Sequence, residues 1–226
     1  MLPLLILRPE PGASRTAAAA TALGLCPQIV PLFALTPTGW QVPDPGAFDA
    51  LLLTSANAAR LAGPGFGALA QLPCYAVGTA TAAAARARGV DPVQVGTAGV
   101  QALVDAMVAN GARAILWLAA ADRSPLTTAR ARITPIATYA ATAIADPPGW
   151  AAAAAQPAVA LLHSVRAARR AATLAGQARN HLIALAISDA VAMAAGPGWA
   201  GCAVATGPDD SAMLALARQL CQMRAP

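Results

Sequence analysis

The 226-residue sequence predicts an α/β protein of two similar lobes, each a doubly wound parallel sheet of the Rossmann or flavodoxin kind, joined by a two-stranded antiparallel linker. Three observations predict it. The first is a phrase that occurs twice. Phe48-Asp49-Ala50-Leu51-Leu52-Leu53-Thr54-Ser55-Ala56-Asn57-Ala58-Ala59-Arg60 is echoed by Ala158-Val159-Ala160-Leu161-Leu162-His163-Ser164-Val165-Arg166-Ala167-Ala168-Arg169. Each is an apolar run that ends in Ser at the start of an Ala/Arg helix. The second observation is that the echo persists: Val77-Gly78 is answered by Ile187-Ser188, Gly89 by Gly198 and Val95 by Val204, at a nearly constant offset. Such a match marks an internal repeat. The third is the alternation of short, wholly apolar runs with helical patterns, the signature of parallel strands covered on both faces.

The elements follow in order. Residues 2–7 are a continuous apolar run of strand length, Arg8-Pro9-Glu10-Pro11-Gly12 is a loop, and Ser14 is placed to cap a helix that runs to residue 23 and is closed by Gly24. Residues 28–32 form a second strand. The Pro-rich stretch from Pro31 to Pro45 reads as an extended linker leaving one lobe for the other. Strands are expected at 50–54, 74–77, 93–95 and 114–118, with helices from 57, at 79–88 (stopped by Gly89) and at 100–110. A very short helix is expected after Ala119-Ala120-Ala121-Asp122-Arg123. Residues 133–143, rich in β formers such as Ile136, Thr138 and Tyr139, read as the return linker, able to pair antiparallel with 32–35. Beyond the Asp146-Pro147-Pro148-Gly149 break come strands at 159–162, 183–187 and 202–205 and a last helix over 210–223.

The second lobe closes its sheet with 114–118, but the C-terminal copy ends before any equivalent strand. The N-terminal β-α-β must supply it. One lobe is therefore expected to be discontinuous, residues 1–35 plus 144–226, with the other, 38–132, inserted, and 31–37 and 133–143 as linkers. Two similar lobes facing each other imply a cleft.

Composition narrows the chemistry. Hydrophobic residues make up 57% of the chain, but much of that is Ala, a strong helix former that buries little area. All fifteen basic residues are Arg, which excludes a Schiff-base lysine, a pyridoxal-phosphate anchor and a P-loop lysine. The net charge of +5 favours anionic partners. The arginines are scattered and aromatics are few, so a small polyanion fits better than nucleic acid. Cys26, Cys74, Cys202 and Cys221 form no CxxC pair and sit in or beside apolar segments, as expected of buried thiols in a reducing, cytoplasmic setting. With only two histidines besides, no metal site is expected. The stretch 182–205 is the best membrane-span candidate, but Asp189 and the Gly196-Pro197-Gly198 turn divide it. Residues 1–7 lack a charged flank and read as a strand, not a signal peptide. No heptad or large apolar stripe demands a partner, so a monomer away from membranes is expected.

In open parallel sheets, ligands bind beyond the carboxyl ends of the strands. Ser55 and Ser164 both fall there, with the N–H groups of Ala56-Asn57 and Val165-Arg166 opening the next helix. Each is either an ordinary cap or part of an anion site. Gly78-Thr79-Ala80-Thr81 is a third such turn, offering Gly78, Thr79 and Thr81, although no GxGxxG dinucleotide fingerprint is present. Ser188-Asp189 is its counterpart, where the acid would repel an anion. Tyr139 lies in the expected linker, within reach of both lobes, as a proton donor or as an aromatic plug. Tyr75, inside an apolar strand, reads as core. Arg8 ends the first strand at the same edge, as an anion ligand or as a structural partner for Glu10 or a nearby carbonyl. His163 adjoins Ser164 but has no Asp at a diagnostic spacing, so a Ser/His/Asp triad is not expected. His181 is expected to be exposed.

Taken in order, Ile6-Leu7-Arg8-Pro9, Val30-Pro31-Leu32-Phe33, Leu53-Thr54-Ser55-Ala56-Asn57-Ala58 and Tyr75-Ala76-Val77-Gly78-Thr79-Ala80-Thr81-Ala82 resemble the uroporphyrinogen-III synthase family over nearly the whole chain. The resemblance implies two α/β lobes on a two-stranded linker, the first lobe built from both chain ends. It implies cyclisation of the linear tetrapyrrole hydroxymethylbilane with inversion of ring D and loss of water, without a cofactor. The eight carboxylates of that substrate would meet helix N-termini and backbone donors. Tyr139 matches the tyrosine that the family places at the cleft, where it would assist the leaving hydroxyl. An azafulvenium cation, attack at the substituted carbon of ring D, a spiro intermediate, fragmentation and reclosure would follow. Closure without the enzyme gives the uninverted type I ring, so the protein must bias geometry. Two turns depart from the family pattern: Ala119-Ala120-Ala121-Asp122-Arg123 replaces a Gly-rich turn, and Ser188-Asp189-Ala190-Val191-Ala192 replaces Gly-x-x-Thr-Ala. A non-catalytic two-lobed module for a polyanion or tetrapyrrole would keep Ser55, Gly78 and Ser164 without needing Tyr139. A nucleotide-dependent transferase is disfavoured by the missing glycine fingerprint and the absence of Lys.

Overall fold

Short apolar runs rich in Leu, Ile and Val become strands in the computed structural model, which describes residues 1–222. In chain order the elements are β1 (Leu4–Ile6), α1 (Gly12–Ala22), β2 (Pro27–Ile29), β3 (Phe33–Pro37), β4 (Ala50–Leu53), α2 (Ala56–Arg60), β5 (Cys74–Val77), α3 (Thr79–Arg86), β6 (Pro92–Gly96), α4 (Val100–Ala109) and β7 (Ala114–Ala120). There follow β8 (Arg132–Ala143), α5 (Trp150–Ala154), β9 (Ala158–Leu162), α6 (Val165–Ala175), β10 (Leu182–Ala186), α7 (Asp189–Ala195), β11 (Gly201–Val204) and α8 (Asp210–Gln222). Two units result, Met1–Ala34 with Thr142–Pro226, and Leu35–Ala141.

The first unit holds a five-stranded sheet in the order β11-β10-β9-β1-β2, parallel throughout. The second holds six strands, β3-β8-β7-β4-β5-β6, parallel from β8 to β6. In topology, β11-β10-β9-β1-β2 and β6-β5-β4-β7-β8 are one arrangement entered at different points of the chain. After β6 the second unit runs on into β7 and β8, whereas the places beside β9 are taken by β1 and β2 from the N-terminus.

Side-chain alternation builds the cores. In the second unit Leu51, Leu53, Leu116 and Leu118 face one way, onto Ala58, Ala59, Phe66, Ala84 and Ala85. Ala50, Leu52, Ile115 and Trp117 face the other way, onto Leu103, Val104 and Met107 of α4. In the first unit Leu4, Ile6, Val159, Leu161, Ile183 and Leu185 pack beneath α1 and α8, which contribute Ala13, Ala20, Met213, Leu214 and Ala217. The exposed carboxylate of Asp49 accepts the backbone N–H groups of Arg113 and Ala114, both at 2.8 Å, and so pins β7 beside β4 at the amino edge. Those two bonds, before any charge effect, hold its carboxyl below the usual range.

Several expectations need correction. Ser14 is not the cap of α1 but lies inside its first turn; the Glu10 carboxylate accepts the Ser14 N–H at 3.1 Å and its hydroxyl at 2.8 Å. No helix forms between β7 and β8: residues 121–131 contain Pro125 and lack a helical apolar face, although Leu126 and Ala131 pack against the α4-side core. Among the elements that lie where none was expected are α5, which tucks Trp150 into the interior, and a 3-10 segment, Pro64–Leu69, which supplies the buried Phe66. Cys74 and Cys221 are buried, but Cys26 and Cys202 are exposed. Cys26 immediately precedes β2 and Cys202 lies on β11, the two edge strands of the sheet, so neither is covered as an internal strand would be. Burial pushes the Cys74 thiol up to about 12 and the Cys221 thiol up to about 11, so neither is a nucleophile at neutral pH. The last helix is described as far as Gln222; the expected end at Met223 lies outside the described residues.

Candidate functional site

Ser55, Gly78 and Tyr139 all reach the carboxyl edge of the second unit's sheet, and two of the three meet. Ser55 leaves β4 in extended conformation and caps α2, its Oγ accepting the Asn57 N–H at 3.2 Å. The Tyr139 phenol donates to the same Oγ at 3.2 Å. Tyr139 is buried, with 8% of its surface exposed, while Ser55, Ala56 and Asn57 are half-buried.

A bulge delivers the phenol there. Along β7 and β8 the pairs run Ile115↔Ile133 to Ala119↔Ala137 and then jump to Ala120↔Tyr139, leaving Thr138 as the extra residue. Strand alternation sends Ile133 to the α4 side and Ile136 to the α2 side. Uninterrupted, it would return Tyr139 to the α4 side. The inserted residue reverses the phase, and Tyr139 joins the α2 side with Ile136. The bulge is held by its own bonds: the buried Thr138 hydroxyl donates to the Ala58 carbonyl at 3.2 Å, the Thr38 hydroxyl to that of Ala137, and the Ala121 N–H to that of Tyr139 at 2.8 Å. Next to Ser55, Thr54 accepts the Trp117 indole N–H at 3.0 Å.

Gly78 opens α3 at φ 79°, a conformation other residues resist, and its N–H bonds the Gly96 carbonyl at 2.8 Å. No side chain caps α3. Its first N–H groups therefore have no partner within the helix, beside an exposed Thr79 and a buried Thr81. None of these bonds to Ser55 or Tyr139. Tyr75 is core, as expected, its hydroxyl accepting from Asn110 at 3.4 Å.

In the first unit, the residues at the sheet's carboxyl edge are tied to partners that local spacing does not reveal. Arg8 is held not by Glu10 but by Asp210, its Nη1 donating to both carboxylate oxygens at 2.8 and 2.9 Å. Thr16 donates to the same carboxylate at 2.7 Å. His163 Nε2 stands 3.2 Å from Asp210 Oδ1, near enough for an ionic contact but angled away from a good hydrogen bond. An acid partner for His163 thus exists, 47 residues further on (210 − 163), at the start of α8. This is no triad, because the Ser164 Oγ is committed as a cap, accepting the Ala167 N–H at 3.1 Å. Val165 begins α6. Ser188 precedes α7 without a capping bond, with Asp189 in the first turn.

The contact with His163 first, then the Thr16 hydrogen bond and the Arg8 charge, hold the Asp210 carboxyl well below the usual carboxylate range, against an opposing effect of partial burial. Its folded-state value lies below its unfolded one. The stabilisation is therefore complete above about pH 4–5, where the unfolded carboxyl is ionised, and is lost as pH falls towards the folded value. With Asp210 over a third exposed, Asp210→Asn is expected to cost about 1 kcal/mol at pH 7 and measurably less at pH 3. Thermal unfolding of both proteins at the two pH values checks this; an equal gap at pH 3 would remove the carboxylate's charge from the account.

Among the described residues, no group of three or more His, Cys, Asp or Glu is placed to hold a metal ion, and no helix is long and apolar enough to cross a membrane.

The family model described as Uroporphyrinogen-III synthase HemD matches residues 14–215. Among solved structures, the chain is similar to the uroporphyrinogen-III synthetase of Helicobacter pylori, with 17% identity and a TM-score of 0.66 over 97% of this chain and 99% of that one. It is also similar to a mutant uroporphyrinogen III synthase of the extremely thermophilic bacterium Thermus thermophilus, with 15% identity and a TM-score of 0.53 over 99% of this chain and 100% of that one. At such identities the likeness is one of fold. No curated protein matches the chain significantly.

Proposed function

The chain belongs to the uroporphyrinogen-III synthase family, and from that membership we propose that Tyr139 is the proton source for the reaction and that the carboxyl edges of both sheets bind its substrate. The family's reaction is the cyclisation of hydroxymethylbilane to uroporphyrinogen III in tetrapyrrole biosynthesis, a lyase reaction that inverts ring D and releases water. The reading as a non-catalytic module is not favoured.

The observation that carries the proposal is the hydrogen bond from the buried phenol of Tyr139 to Ser55. A phenol placed by a bulge at the carboxyl edge of a parallel sheet is built for a purpose that packing alone does not require. It would supply the proton with which the hydroxyl departs, leaving the azafulvenium cation. The carboxylates of the substrate would be taken up beside Ser55 at the Ala56-Asn57 turn, by Gly78, Thr79 and Thr81, and in the other unit by Arg8, Ser164, Val165 and Ser188. The uncapped start of α3 supports the Gly78 contact, since its free N–H groups suit an anion. Arg8 would keep its hold on Asp210 with Nη1 while its other donors serve the substrate.

The finer architecture belongs to the same proposal: lobes of 1–35 with 144–226 and of 38–132, linked by 31–37 and 133–143 as an antiparallel pair. Its support is that the Thr38 N–H bonds the Thr138 carbonyl at 3.1 Å and the Ile144 N–H that of Leu32 at 3.0 Å, partners whose numbers rise in one segment as they fall in the other. The unpaired cysteines fit a cytoplasmic setting, and the enzyme would act there as a monomer without a cofactor.

The test is direct. Freshly generated hydroxymethylbilane is supplied to the protein, the products are oxidised, and the isomers are resolved. The type III isomer is expected; type I alone would reject the assignment.

A further inference from the structure

The hydrogen bonds at Ser55 take the mechanism one step further, on the footing of the function just proposed. A serine hydroxyl has two acceptor lone pairs and one proton. The Asn57 N–H and the Tyr139 O–H fill both lone pairs. The direction of the second bond follows from chemistry, because a phenol is the stronger acid and an alkyl hydroxyl the better acceptor. No residue described takes the Ser55 proton. Tyr139 has spent its only proton on Ser55, and with 8% of its surface exposed it offers a substrate little access. Ser55 is the more accessible of the two and is fixed in place by its role as the cap of α2.

We propose that Ser55 delivers the proton to the departing hydroxyl and that Tyr139 stands behind it as the reservoir. The Ser55 Oγ–H passes its proton to the hydroxymethyl oxygen as the C–O bond breaks, and that bond's electron pair leaves with the water. The pyrrole nitrogen lone pair fills the vacancy and gives the azafulvenium cation. The Ser55 oxygen takes the phenolic proton, and the phenolate that remains is a counter-ion to the new cation. The ring carbon that finally closes the macrocycle loses its hydrogen as its pyrrole regains aromaticity, and that proton returns along the same path. One water leaves, and both hydroxyls end as they began. Ser55 is then the catalytic residue that touches substrate, and Tyr139 acts through it.

Single-turnover rates in mixtures of H2O and D2O test the relay. The intact protein is expected to show a curved dependence on deuterium fraction, from two protons in flight, and Tyr139→Phe a linear one. Ser55→Ala is expected to lower the rate about 10²-fold with KM within about threefold, and Ser55→Thr, which keeps the hydroxyl, to recover most of the loss. Loss of the cap alone would lower stability in Ser55→Ala without removing the curvature. A full rate in Ser55→Ala beside an impaired Tyr139→Phe would overturn the relay and leave Tyr139 as a direct donor. A linear dependence in the intact protein would also overturn it. Formation of type I product alone would instead remove the function on which the relay rests.

Discussion

Tyr139→Phe is expected to lower kcat about 10²-fold or more while KM stays within about threefold of the intact protein, the pattern of an interaction made only in the transition state. The change deletes one oxygen. The ring stays among Leu53, Leu116, Leu118 and Ile136 of the same core, so its apolar burial is kept. Ser55 retains its bond to the Asn57 N–H and remains half-exposed, so the lost partner costs about 0.5–1.5 kcal/mol. The unfolding temperature should therefore fall by no more than about 6 °C. Steady-state kinetics on freshly generated hydroxymethylbilane, with thermal unfolding as the control, separates the two effects. The product should remain type III, because proton supply and ring placement are different tasks. A full rate in this variant would remove Tyr139 from the chemistry, and a large fall in stability would recast it as a packing residue.

The strands and their order follow closely from the apolar runs. A covered parallel strand needs both faces apolar, and Leu51-Leu52-Leu53, Cys74-Tyr75-Ala76-Val77 and Leu161-Leu162 leave little else to be. The repeat did the rest, since strands at matching positions in two copies must take matching places in two sheets. Ser55 and Ser164 could be read as caps from one residue type in one place, and both are. The bulge at Thr138 left no such mark. Ile-Ala-Thr-Tyr reads equally well as regular strand, and only bonds from Ala58, Thr38 and Ala121, far away in sequence, make the extra residue favourable. Tyr139 was therefore legible as a residue of interest, but its meeting with Ser55 was not. The Arg8–Asp210 pair was hidden for the same reason. It joins the first strand to the last helix, and charge pairing at such separation depends on the finished topology. Glu10, two residues from Arg8, was the nearer candidate but was drawn instead to the first turn of α1, where a carboxylate meets free N–H groups and a positive dipole end.

Phe66→Ala is expected to cost about 4–5 kcal/mol, the upper end of the range for a buried aromatic, and the reason lies in the composition of the chain. Phe66 is wholly buried and ranks among the largest such side chains. The helical side of its core is made of Ala58, Ala59, Ala62, Ala84 and Ala85. Alanines form helices well, but they have no rotamers with which to fill a hole. The leucines on the other side, Leu51, Leu53, Leu116 and Leu118, are fixed to a sheet whose strands are paired on both sides. The void would therefore stay open, and each unfilled volume adds its own cost to the lost transfer energy. Total stability for a domain of this kind is about 5–15 kcal/mol, so one substitution would consume much of it, and the unfolding temperature would drop by roughly 10 °C or more. Phe66→Leu, which leaves less space empty, should lose about half as much. At low temperature, where the fold survives, the Phe66→Ala protein should keep most of its turnover, because the Tyr139–Ser55 bond is set by the bulge and the cap and not by the aromatic ring. Denaturant unfolding and activity in the cold would together show the opposite profile to Tyr139→Phe. A loss under about 2 kcal/mol would mean that the alanine-lined core collapses after all, and that its packing is looser than its burial suggests.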